Sequence, residues 1–126
     1  MIELPYTEEN IAIIQEFLKE TKERISNGVE ITFTAKANSE LQDLMLEDDI
    51  SVADIEYAIL NLTTENYYRG IDPSGKGDFY VCAFRTFVGK DELEIYLKYG
   101  LEKDGLQILM FSNHIPDFPM NQPFKK

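Results

Sequence analysis

The stretch that decides the fold is Phe79-Tyr80-Val81-Cys82-Ala83-Phe84-Arg85-Thr86-Phe87-Val88, then Gly89-Lys90-Asp91-Glu92, then Leu93-Glu94-Ile95-Tyr96-Leu97-Lys98-Tyr99-Gly100-Leu101. Two runs rich in β-branched and aromatic residues flank a polar break led by glycine, which predicts a β-hairpin. With Gly89–Glu92 as a four-residue turn, Val88 lies opposite Leu93, Arg85 opposite Tyr96, and Ala83 opposite Lys98. Side chains alternate along a strand, so Arg85, Glu94, Tyr96 and Lys98 share one face. Phe84, Ile95, Leu97, Tyr99 and Leu101 take the other, an apolar surface that calls for a helical cover. A short strand near Tyr67-Tyr68-Arg69 and a last strand over Leu106–Asn113 extend this hairpin to an antiparallel meander spanning residues 66–113. If Lys103-Asp104-Gly105 is a three-residue loop closed by a left-handed glycine, His114 falls opposite Glu94 on the polar face. A two-residue loop would turn it to the apolar one.

The residues before the meander supply the cover. Thr7 is positioned as an N-cap, with Glu8 and Glu9 in the first helical turn. Ile11, Ile14, Phe17, Leu18 and Ile25 repeat at helical spacing, and Asn27-Gly28 stops the helix. Glu16, Lys19, Glu20, Lys22, Glu23 and Arg24 read as its solvated face. Val29–Ala35 alternates as a half-buried strand. Ser39-Glu40-Leu41-Gln42 reads as a capping box opening a short helix with Leu41, Leu44 and Met45 inside. Ser51 caps a third helix that buries Val52, Ile55, Ala58, Ile59 and Leu62. Pro116, Pro119 and Pro123 keep the tail, residues 115–126, out of regular helix or central strand. The expectation is one α+β domain over residues 1–126, with residues 8–62 mainly helical and packed on one face of the meander.

The 126 residues carry a net charge of −11, one cysteine and one histidine. This composition excludes a disulfide framework, a cysteine-rich zinc site and a multi-histidine metal site, and no metal or cofactor is expected. No apolar run is long enough to span a bilayer, and the first residues lack a secretory pattern, so a cytoplasmic location and no membrane partner are expected. The acidity argues against general nucleic-acid binding, and no DNA binding is expected of this chain alone. The charge is uneven, however. Residues 1–65 hold 4 Lys+Arg against 15 Asp+Glu, and residues 66–126 hold 8 against 8. The meander half is therefore free to present a basic face.

Several lesser motifs carry no chemistry. Ser74-Gly75-Lys76-Gly77 is not a phosphate-binding loop, because its spacing is wrong and no helix follows. Glu47-Asp48-Asp49 lacks the spacing of a calcium loop. Cys82 lies in an apolar strand and reads as core. The polar face of the meander is the chemical candidate. Metal-free RNA cleavage needs a base for the 2′-hydroxyl, an acid for the leaving oxygen and cations for the phosphate charge, and Tyr, Lys, Arg and His can divide these roles.

Residues Phe33–Asn113 resemble the MqsR family of RelE-like mRNA interferase toxins. The resemblance is carried by the helix Val52–Leu62 and by Leu62-Thr63-Thr64-Glu65-Asn66-Tyr67-Tyr68-Arg69. Further along it is carried by Ala83-Phe84-Arg85, by Ile95-Tyr96-Leu97-Lys98 and by Ile108-Leu109-Met110-Phe111-Ser112. It implies a RelE/MqsR-like fold and places Arg69 at a catalytic lysine's position and Tyr96 at a catalytic tyrosine's. Val81 stands near the position of a catalytic glutamine, and Ser112-Asn113-His114 replace a final catalytic lysine. The expected catalytic set is Arg69, Tyr96, Lys98 and His114, with Arg85 and Tyr68 binding substrate. Tyr96 can act as a base only if neighbouring cations lower its pKa.

Two functions follow as expectations. One is a type II toxin, a metal-independent endoribonuclease on mRNA held in check by a cognate antitoxin. The other is a non-catalytic acidic module of the same fold, immunity-like or antitoxin-like, that docks on a basic protein partner.

Overall fold

The computed structural model describes residues 1–126. Helix α1 (Glu8–Ser26) starts where Thr7 accepts a hydrogen bond from the Asn10 N–H, and ends with the Val29 N–H donating back to the Arg24 carbonyl. Gly28 takes φ +91° there, the left-handed stop expected of it. Strand β1 (Ile31–Phe33), helices α2 (Ala35–Asp48) and α3 (Val52–Leu60), and strands β2 (Tyr67–Gly70), β3 (Phe79–Val88), β4 (Leu93–Glu102) and β5 (Ile108–His114) follow. The three helices pack with a five-stranded sheet in the order β1-β5-β4-β3-β2, an α+β fold.

The β3–β4 hairpin has the expected register, with Val88, Arg85 and Ala83 opposite Leu93, Tyr96 and Lys98. Phe84, Ile95, Leu97, Tyr99 and Leu101 are buried in one continuous core with Ile14, Phe17, Leu41, Leu44, Ile55 and Ile59 of the helices. Tyr99 stacks on Phe84 and packs at a tilt against Phe17, and its hydroxyl meets Thr21 Oγ1 of α1 at 2.9 Å.

The structure corrects five local expectations. The sheet is mixed, because β1 pairs in parallel with β5 at one edge. Helix α2 starts earlier than Ser39, because Thr34 caps it by accepting from the Ala37 N–H; Ala35 then opens the helix instead of closing the strand. Met45 and Val52 are exposed, since Leu41 and Leu44 of α2 and Ile55, Ala58 and Ile59 of α3 already fill the core-facing stripes. Arg24 is buried rather than solvated: it donates to Glu20 and to the carbonyls of Glu102 and Gln107, tying α1 to the β4–β5 turn. Finally, His114 lies opposite Tyr96, not Glu94. The β4–β5 turn is longer than three residues, and a bulge at Phe111 shifts the register again, so that His114 still reaches the polar face.

The proline-containing tail is irregular but anchored. It crosses the sheet face opposite the helices. Met120 is buried there against Tyr68, Ala83 and Tyr96. The chain then passes the β2 edge, where Phe124, 2% exposed, stacks on Tyr67 at 4.4 Å between centroids. The amino terminus meets it on the same edge, as Glu3 bridges to Gly70.

Candidate functional site

The face of the sheet that the helices leave open holds the residues singled out in the sequence, and the structure divides them into two groups. Tyr96, Lys98 and His114 come together, with Lys36 and Ser112, around a cavity of about 240 Å³ closed on one side by Pro116, Asp117 and Phe118. Tyr68, Arg69 and Arg85 lie apart from this cavity, under the tail.

In the first group, the His114 and Tyr96 rings stack at 5.1 Å, an outcome of the bulge that sets these residues opposite one another. His114 Nδ1 sits 2.8 Å from the Ile115 carbonyl oxygen. A carbonyl only accepts, so Nδ1 carries the proton and Nε2 keeps the basic lone pair in the neutral ring. Glu40 Oε2 lies 3.8 Å from that Nε2. Glu40 is itself held by the Asn113 backbone N–H at 3.1 Å. Lys36 Nζ donates to Ser112 Oγ at 2.9 Å and lies 3.9 Å from Glu40. Lys98 faces the Phe111 ring at 5.8 Å and has no carboxylate partner among the ion pairs of the fold. Tyr96 does not meet the condition set for a base. Burial first, then Tyr68 and other neighbours including Glu40, push its phenol above the ordinary value, so it stays protonated at neutral pH and acts as a donor.

In the second group both guanidinium groups are occupied from within the chain. Arg69 pairs with Glu3 at 2.8 Å and donates to Asn121 Oδ1 at 2.9 Å and to the Tyr68 carbonyl. A bulge in β2 turns Tyr68 and Arg69 toward the tail together, and the guanidinium lies over the Tyr68 ring at 4.1 Å. Arg85 pairs with Glu94 and donates to Gln122 Oε1 at 2.8 Å. Tyr68 is covered by Met120, Phe118 and Tyr96. A single site containing both Arg69 and Tyr96, as the sequence reading expects, is therefore not formed.

Lys36 and Glu40 are the site residues that sequence reasoning missed. They stand four apart on α2, so they share a helix face, but only the α2–β5 packing brings that face over Ser112 and His114. The largest cavity, about 650 Å³, lies on the far side between α1 and the Leu62–Thr64 segment. Its lining includes Lys19, Lys22 and Glu23 and holds no histidine, tyrosine or arginine. Burial pushes the Cys82 thiol well above its usual value, so it stays an inert core residue.

No known protein family, curated protein or solved structure matches the chain. No helix is long and apolar enough to cross a membrane.

Proposed function

We propose that this chain is a RelE-like, MqsR-type toxin: a cytoplasmic, metal-independent endoribonuclease whose site is the cavity of Tyr96, Lys98, His114 and Lys36. The observation that carries this reading is the convergence of two lysine ammonium groups and an imidazole with a free Nε2 lone pair on one small cavity. His114 Nε2 takes the proton of the 2′-hydroxyl as that oxygen attacks phosphorus. Glu40 stabilises the imidazolium that results. Lys36 opposes charge on the non-bridging oxygens, the protonated Tyr96 donates a hydrogen bond, and Lys98 protonates the leaving 5′-oxygen. The products are a 2′,3′-cyclic phosphate and a 5′-hydroxyl end. A cognate antitoxin is the natural partner.

Expression in a bacterial host tests this. The wild type should arrest growth and shorten mRNA, His114→Ala and Lys98→Gln should relieve both, and the purified protein should cleave RNA in EDTA. A harmless wild type that leaves RNA intact removes the interferase reading.

One observation favours the second reading, a non-catalytic acidic module. Arg69 and Arg85 are already satisfied by Glu3, Asn121, Glu94 and Gln122, while the net charge is −11, as suits a basic partner. Tight binding of a basic protein with no RNA cleavage would establish it.

A further inference from the structure

A second cavity of about 420 Å³ opens on the same sheet face, on the other side of Lys98. Lys98 lines both cavities. The floor of the second is aromatic and aliphatic: Phe79 and Phe111 meet edge to face at 6.1 Å beside Val81. Gly100 makes that floor. A Cβ there would stand 3.0 Å from the Phe111 ring and 3.1 Å from Phe79 Cβ, so only a bare backbone lets the two rings close across β4. Both rings are half-buried, leaving part of each open. Around them stand Lys98, Lys103 and Lys76. Lys103 also faces the Tyr80 ring at 4.9 Å. Asp72 is the one carboxylate on the wall, and it is bound to the Ser74 N–H at 2.9 Å. None of residues 115–126 lines this cavity; Met1 and Ile2 border it, and Lys103 Nζ donates to the Gly75 carbonyl while an ammonium group has three donors to give.

Half-exposed rings between lysines form a stacking platform flanked by phosphate-binding cations, the chemistry that holds single-stranded nucleic acid. We propose that this cavity is a nucleotide subsite of the RNA track. One base stacks on the Phe111 ring with Phe79 against its edge, Lys76 and Lys103 meet the phosphate on its outer side, and Lys98 holds the phosphate shared with the His114 cavity. The inference rests on the interferase reading for its ligand class, and its test separates the two.

The probe is a fluorescein-labelled, single-stranded 2′-O-methyl RNA, in which 2′-hydroxyl attack is blocked, titrated by anisotropy at two salt concentrations. Phe111→Leu keeps much of the volume and removes the ring, and should weaken binding about tenfold. Lys76→Gln with Lys103→Gln should lower the salt slope by about 0.7 for each phosphate no longer neutralised. Melting curves check that each variant folds, and the exposed Lys76 site carries the test if Phe111→Leu does not. If both variants bind like the wild type while Lys98→Gln binds weakly, the subsite is wrong and the His114 site stands. If the wild type binds and the variants weaken it, yet natural RNA stays uncut, the subsite stands and the interferase reading falls. A wild type that binds no RNA overturns both. Displacement of the probe by equimolar AMP would make this a free-nucleotide pocket and overturn the strand reading.

Discussion

Removing the Phe124 ring should release the tail without unfolding the sheet. Phe124 is buried, stacked on Tyr67 at 4.4 Å and met edge-on by Tyr6 at 5.9 Å. Burying such a side chain contributes about 2 kcal/mol, and the aromatic pairs about 1 kcal/mol more. Ordering the residues around it opposes this at about 1–2 kcal/mol each. The other anchors are Met120 and the hydrogen bonds of Asn121 and Gln122. Phe124→Ala should therefore favour the detached tail by about 3 kcal/mol, roughly a hundredfold in its population. Thiol labelling reads this directly. In a Met120→Cys background, the introduced thiol becomes reachable when the tail lifts. Cys82, fully buried between β2 and β4, becomes reachable only when the sheet opens. Adding Phe124→Ala should speed labelling at position 120 about a hundredfold and leave Cys82 nearly unchanged. Equal acceleration at both sites would mean that the tail and sheet open as one unit. No acceleration at either would mean that Phe124 is not the anchor.

Three further outcomes are expected. Gly70 has φ +97°, and a Cβ there would collide with the Val81 carbonyl oxygen, so Gly70→Ala should cost about 3 kcal/mol and on the order of 10 °C in Tm, whereas Gly28→Ala, with φ +91° but open space, should cost only about 1 kcal/mol. Ser51→Ala removes the hydroxyl half of the reciprocal cap, the bond accepted from the Asp54 N–H and the one given to its carboxylate, and should cost about 1 kcal/mol by denaturant titration. Burial pushes the Tyr67 phenol up to about 12 and raises Tyr99 as well; the unfolded phenols lose their protons from about pH 10, so stability should be full below about pH 10 and fall as the pH rises from there toward 12, and a Tm unchanged through that window would refute the assignment.

The hairpin was legible because its information is local. Gly89, at φ +78°, fixes a four-residue turn, and every partner from Val88↔Leu93 outward follows by alternation. The cap of α3 was equally local. The start of α2 was ambiguous because Ala35 continues the strand's alternation and also suits a helix, so Thr34 and Ser39 compete as caps. The parallel β1–β5 pair, the Lys36–His114 cavity and the engagement of Arg69 and Arg85 all depend on contacts between residues far apart in the chain. No periodicity encodes these. The polar face was readable as a surface, but not the fact that the tail lies across half of it: three prolines exclude regular structure without revealing that Met120 and Phe124 point inward. His114 reached the expected face by a route the sequence did not display, a longer turn offset by a bulge.

The parallel pairing of β1 with β5 also constrains the order of assembly. Ile31 waits for Ile108, and α2, which packs mainly on β5, waits with it. During synthesis the whole acidic half of the chain emerges before the surface it will cover exists. The β3–β4 hairpin can close on contacts near in sequence, but docking β1 carries the entropy of a loop that spans most of the chain. The stripes of α1 and α3 can settle on that hairpin, but the stripe of α2 stands open until β5 has emerged and paired, and the charge of the helical half is what keeps neighbouring nascent chains apart meanwhile.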